Sequence, residues 1–99
     1  MISVIAKLVV QDGKAEETIA AFKALLPEVA NEKGTLLYSL NTNPNDANTI
    51  VIIERYTDKA ALNEHSSTPH FKAFSKTLGA VLAAKPEITI LQEIDVVMK

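Results

Sequence analysis

Two side chains in this sequence have the type and placement for proton chemistry. His65 follows Ala61 by four residues and Leu62 by three, so on a helix it shares their face and points inward. Glu54 shares one strand face with Ile50, Ile52 and Tyr56, a carboxylate in an apolar row. A buried carboxylate is costly unless it is paired or neutralised, so this one requires a reason. One reason is a Glu54–His65 pair lining a cavity, the carboxylate orienting or charging the imidazole. The other is Glu54 bonded to Tyr56, Arg55 or a backbone amide at the rim of a sheet. Tyr38 falls on the neighbouring strand. Phe71 and Phe74 are core residues that can double as cavity walls, and Tyr56 can serve in either place. His70, in the first turn of the last helix, reads as solvated or as a cap.

The rest of the catalytic repertoire is missing. The only glycines are Gly13, Gly34 and Gly79, too scattered for a phosphate loop or a dinucleotide fingerprint. No serine stands at a nucleophile elbow. Without cysteine there is no disulfide, thiolate nucleophile or Cys-ligated metal. His65 and His70 are five residues apart with Pro69 between them, whereas a helical zinc pair needs a spacing of three or four on one face. No cofactor and no metal are expected. The net charge of -2 is spread without a basic patch, so no nucleic-acid partner is expected either. No stretch approaches the roughly 18 apolar residues of a membrane span, and Met1–Lys7 lacks the pattern of a signal peptide. A cytoplasmic protein is the default expectation.

The elements that must carry these residues are legible in the pattern. Residues 2–10 are rich in β-branched side chains and read as a strand, closed by a turn at Gln11-Asp12-Gly13. From Lys14 the period becomes helical: Ala15, Thr18, Ile19, Phe22, Leu25, Leu26 and Val29 form one stripe. Pro27 predicts a kink or a split last turn, and Gly34 a stop. Strands follow over 35–42 and 49–57, joined by a loop at Asn43–Asn48. Asp58 caps a short helix through His65. Thr68 caps another that opens with Pro69, buries Phe71, Phe74, Leu78, Val81 and Leu82, and ends at Lys85-Pro86. Residues 87–97 form a final strand. The order β-α-β-β-α-α-β predicts one α+β domain over 1–99: a ferredoxin-like split β-α-β with a four-stranded antiparallel sheet.

In such a sheet one face is normally wet and the strands alternate. Here Ile50-Val51-Ile52-Ile53, Val4-Ile5, Val9-Val10, Leu36-Leu37 and Val96-Val97 are apolar on both faces. The helices of one chain cover one face. A second copy of the chain is the simplest cover for the other, so a homodimer is expected.

Several short pieces in order carry a family resemblance: Glu32-x-Gly34-x-Leu36-x-Tyr38, Glu54-x-Tyr56, Ala60-Ala61-Leu62-x-x-His65, and Ser67-x-Pro69-His70-Phe71-x-x-Phe74. With them the chain resembles the antibiotic biosynthesis monooxygenase domain family, which includes quinol monooxygenases; Tyr56 stands where members often carry tryptophan. The resemblance implies a dimeric α+β barrel, with a pocket between sheet and helices in each subunit. It further implies oxidation of a small aromatic or quinol by O2 without flavin or metal. Carried over residue by residue, it makes His65 the base, Glu54 its orienter, and Tyr38, Tyr56, Phe71 and Phe74 the residues that shape the cavity. A heme-degrading branch fits less well, because the first strand has no asparagine and Phe74-Ser75 offers no iron ligand. Two alternatives use the same scaffold: an isomerase or degrading enzyme for a small metabolite, and a non-catalytic small-molecule-binding dimer.

Overall fold

The computed structural model describes residues 1–99. Strand β1 (Ile2–Val9) is followed by helix α1 (Ala15–Ala30), strands β2 (Thr35–Asn43) and β3 (Asp46–Tyr56), helices α2 (Lys59–Ser67) and α3 (Pro69–Gly79), and strand β4 (Glu87–Gln92). The four strands form one antiparallel sheet in the order β2-β3-β1-β4. This is the ferredoxin-like α+β arrangement that the element order predicts.

Alternation along the central strands separates two faces. Val4, Ala6 and Leu8 of β1, and Ile50, Ile52, Glu54 and Tyr56 of β3, are buried toward the helices. There Ala6, Leu8, Ile50 and Ile52 meet Phe22, Leu25 and Val29 of α1, Val4 and Tyr56 meet Ala61 and Leu62, and the rings of Phe22 and Phe74 lie 4.5 Å apart. The opposite face carries Ile5, Leu37, Ile53 and Leu91, all 40–44% exposed. Ile5 and Ile53 are direct cross-strand partners at its centre. This chain thus leaves an apolar surface on the side its own helices do not reach.

Four boundaries differ from the sequence pattern, each for a local reason. Helix α1 runs unbroken through Pro27. The proline sits one turn from the end, where a single lost hydrogen bond is tolerated. The helix then closes through bonds from the N–H groups of Asn31 and Glu32 to Glu28 and Val29, before Gly34 is reached. The hairpin loop shrinks to Pro44-Asn45, because the carboxamide of Asn43 and the carboxylate of Asp46 accept from the backbone two residues on and extend both strands. Helix α3 stops at Gly79, since Val81 and Ala83 are drawn into hydrogen bonds with Gln11 and Val9 at the end of β1. Strand β4 ends at Gln92 rather than at 97: its neighbour β1 begins at Ile2, opposite Gln92, and offers no further ladder partners. Glu93, the next residue, pairs with Arg55 through two hydrogen bonds of 2.8 and 2.9 Å.

Gly34 is required for space rather than for backbone freedom. A Cβ added there would stand 2.3 Å from the Cβ of Ala61, in the helix that carries His65. We expect Gly34→Ala to lower stability by about 1–3 kcal/mol, the range for an overpacked contact. Thermal melting checks it, and an unchanged midpoint would show that α2 can move aside freely.

Candidate active site

A cavity of about 330 Å³ lies between the helix-facing side of the sheet and helices α2 and α3. One part of its wall is apolar, with Leu8, Phe22, Ile52, Leu78 and Leu82, and another gathers Tyr38, Glu54, His65, Ser66 and Phe71. Of the residues singled out by sequence, Tyr38, Glu54, His65, Phe71 and Phe74 all line it. Tyr56 does not. It is fully buried behind the wall, among Val4, Ala61 and Leu62, and touches the site from behind, with its ring against His65 and its hydroxyl on Glu54.

His65 is 2% exposed and packed at a tilt among three rings, with centroid distances of 4.8 Å to Phe71, 5.3 Å to Tyr38 and 5.5 Å to Tyr56. Helix α2 presents it because Asp58 caps the helix start, its carboxylate accepting from the Ala61 N–H at 2.8 Å. The ring separates the cavity from a second, polar recess beside the end of α1. On the recess side its Nδ1 lies 2.7 Å from Oε1 of Glu32. A carboxylate only accepts, so Nδ1 carries the hydrogen. In the neutral ring the lone pair is then on Nε2, the buried nitrogen that finds no partner in the protein. A buried imidazole with one nitrogen committed to a carboxylate and the other unpartnered has the donor and acceptor pattern that general-base chemistry requires.

The Glu54–His65 pair expected from sequence is not formed. Glu54 instead accepts a short hydrogen bond from the Tyr56 hydroxyl, the other reading of that residue, and the carboxylate that holds His65 is Glu32. His70 is not a cap: it is partly exposed at the polar recess, and its Nε2 donates to Oε2 of Glu32 at 2.6 Å. The cap of α3 is Thr68, as its position before Pro69 predicts. Glu32 eluded any reading of spacing because it bonds across 33 and 38 residues, far outside helical or strand periods. The signal it left was its place in the Glu32-x-Gly34-x-Leu36-x-Tyr38 segment.

The two carboxylates are driven in opposite directions. Burial pushes Glu32 up, but hydrogen bonds from His70, Thr35 and His65 outweigh it and hold the group below the usual carboxylate range. Burial dominates at Glu54 and, against the bond from Tyr56 and with the nearby charge of Glu32, pushes it up to about 7. Burial, and then the neighbouring carboxylates, also raise the Tyr38 and Tyr56 phenols, which stay protonated at neutral pH.

This gives a prediction with a definite sign. Between its ordinary value of 4.5 and about 7, Glu54 holds a proton in the folded chain that the unfolded chain releases. Stability therefore falls as pH rises through that window, with a cost on the order of 3 kcal/mol fully developed above it. Glu54→Gln keeps an acceptor for Tyr56 and cannot ionise. We expect it to match the parent near pH 4 and to exceed it in denaturant stability at pH 8. Equal stability at pH 8 would mean that Glu54 ionises without penalty.

The family model described as antibiotic biosynthesis monooxygenase matches residues 1–77 of this chain. The chain belongs to that family. A Bacillus subtilis relative, "Putative monooxygenase YcnE", is 32% identical over 74 residues, covering 75% of this chain and 78% of its own. Among solved structures, one from Caulobacter crescentus titled for the same family is 35% identical with a TM-score of 0.90, covering 95% of this chain and 90% of the other. Rv0793 from Mycobacterium tuberculosis superposes with a TM-score of 0.91 at 25% identity, covering 98% of both chains. The antibiotic biosynthesis monooxygenase fold therefore extends past the matched residues through β4.

Proposed function

We propose that this protein is a monooxygenase that oxidises a small aromatic or quinol with O2, with no flavin or metal, and that it works as a homodimer. The observation that carries the reading is the unpartnered Nε2 of a buried, carboxylate-held imidazole in the wall of a largely apolar cavity. Family membership and the names borne by its relatives support the reaction class.

In this reading the ring of the substrate fills the apolar end, and one phenolic O–H meets Nε2 of His65. The base takes the proton, and the electron-rich phenolate passes one electron to O2. Recombination forms a carbon–oxygen bond at a ring C–H carbon, giving a peroxide that takes up a proton. Loss of that carbon's hydrogen and cleavage of the O–O bond then release water and leave a carbonyl. For a hydroquinone the balance is one quinol and one O2 giving one hydroxyquinone and one water, with all electrons supplied by the substrate. Glu54, which holds its proton up to about pH 7, is the acid placed to protonate the peroxide, and Tyr56 holds it there. The cavity lining contains no Lys or Arg, which disfavours phosphorylated substrates.

Oxygen consumption with a panel of benzo- and naphthohydroquinones, followed with product mass, tests the proposal. One O2 per quinol and a product heavier by one oxygen and lighter by two hydrogens are expected. Uptake no faster than that of a His65→Ala control across the panel would remove the monooxygenase reading. Turnover of a keto compound under argon would reassign the same base to isomerisation.

A further inference from the structure

His70 and Thr35 do not line the cavity, yet both commit a hydrogen-bond donor to the carboxylate behind His65. Glu32 lies two residues past the end of α1, beside a polar recess of about 410 Å³ into which an unheld side chain could swing. Both of its oxygens are engaged. Oε1 accepts from His65 Nδ1 and from the Thr35 hydroxyl, each at 2.7 Å, and Oε2 accepts from His70 Nε2 at 2.6 Å. Glu28 stands 3.9 Å from the far nitrogen of His70, beyond hydrogen-bond reach.

The two imidazoles come from one corner of the chain. His65 is in the last turn of α2 and His70 in the first turn of α3. Thr68 stiffens the corner: its hydroxyl donates to the His65 carbonyl at 2.8 Å and accepts from the Phe71 N–H at 3.2 Å. Pro69 fixes the backbone between them. The five-residue spacing that is wrong for a helical metal pair thus suits two rings gripping the two oxygens of one carboxylate. Side-chain exposure rises outward along the chain of contacts, from 2% at His65 through 12% at Glu32 to 21% at His70.

From this geometry we infer that His70 is a positioning residue for the base: by holding Oε2 of Glu32 it keeps Oε1 on His65 Nδ1, and so keeps the lone pair on Nε2. Its catalytic consequence rests on reading His65 as the base. The tautomer itself does not, and can be read without substrate.

Nitrogen NMR of the 15N-labelled protein distinguishes a ring nitrogen bearing hydrogen from one bearing a lone pair. The parent is expected to show His65 with hydrogen on Nδ1 alone. In His70→Leu we expect a mixture of both His65 tautomers, and a fall of about tenfold in kcat for hydroquinone with KM within about twofold. His70→Gln can reach and donate to Oε2 through its amide, and should restore the single tautomer and most of kcat. If His70→Leu loses its folded amide spectrum, His70→Asn, too short to reach Oε2, gives the same reading. A single unchanged tautomer in the Leu or Asn variant overturns the inference, and so does a Gln variant that fails to restore it. Should the parent turn over no hydroquinone, the monooxygenase reading falls, while the tautomer comparison still decides the role of His70.

Discussion

With hydroquinone as substrate, His65→Ala is expected to consume O2 about 10²–10⁴ times more slowly than the parent, the contribution of a well-placed general base. Nε2 is the only ring nitrogen free to accept, because Nδ1–H is held by Glu32. The other groups at that end of the cavity are poor substitutes. Tyr38 is a phenol kept protonated by burial, and Glu54 is occupied by the Tyr56 hydroxyl. Removing the ring also opens space beside Phe71 and Tyr38, so His65→Gln should be measured in parallel as a closer fit without a basic nitrogen. Stopped-flow oxygen traces together with melting curves separate lost chemistry from lost fold. A His65→Ala protein that is folded and retains more than about a tenth of the parent rate would assign the base elsewhere.

The second large effect is on assembly. Ile53→Glu is expected to convert the protein from a dimer to a monomer at micromolar concentration and to lower its melting temperature. Ile53 is 44% exposed in the isolated chain and pairs with Ile5 at the centre of the apolar sheet face. In a two-fold contact every substitution counts twice. Losing the burial of two isoleucines forfeits about 3–6 kcal/mol before the desolvation of two carboxylates is added. That weakens the dimer constant by about two to four orders of magnitude. Sedimentation equilibrium of parent and variant gives the answer. A parent that already sediments at the 10.7 kDa of a single chain would dispose of the dimer altogether.

Much of this architecture can be read from residue patterns, and most of what cannot depends on partners that the folded chain supplies. The inward turn of His65, the carboxylate in an apolar row at Glu54 and the caps at Asp58 and Thr68 are local signals, set by neighbours within a turn or along a strand. The two-sided apolarity of β3 is local too, and the structure shows both of its faces. The end of β4 is not local, since it depends on where β1 begins. The tightness of the hairpin depends on two side chains turning back on their own backbone. Glu32 is the extreme case. No periodicity marks it, and its worth comes from two imidazoles that only the completed fold brings within 3 Å. A polar residue just past a helix end carries no sign of such partners until tertiary packing supplies them.

Strand β3 sends successive side chains to different destinations. Ile50, Ile52 and Glu54 look toward the helices and the cavity, while Val51, Ile53 and Arg55 look the other way. A saturation mutagenesis map of positions 50 to 55 should therefore read as a zebra pattern. Changes at 52 and 54 would be felt as altered handling of the small molecule and changes at 50 as a weakened core, both at any protein concentration, and changes at odd numbers as a defect that dilution worsens and concentration repairs.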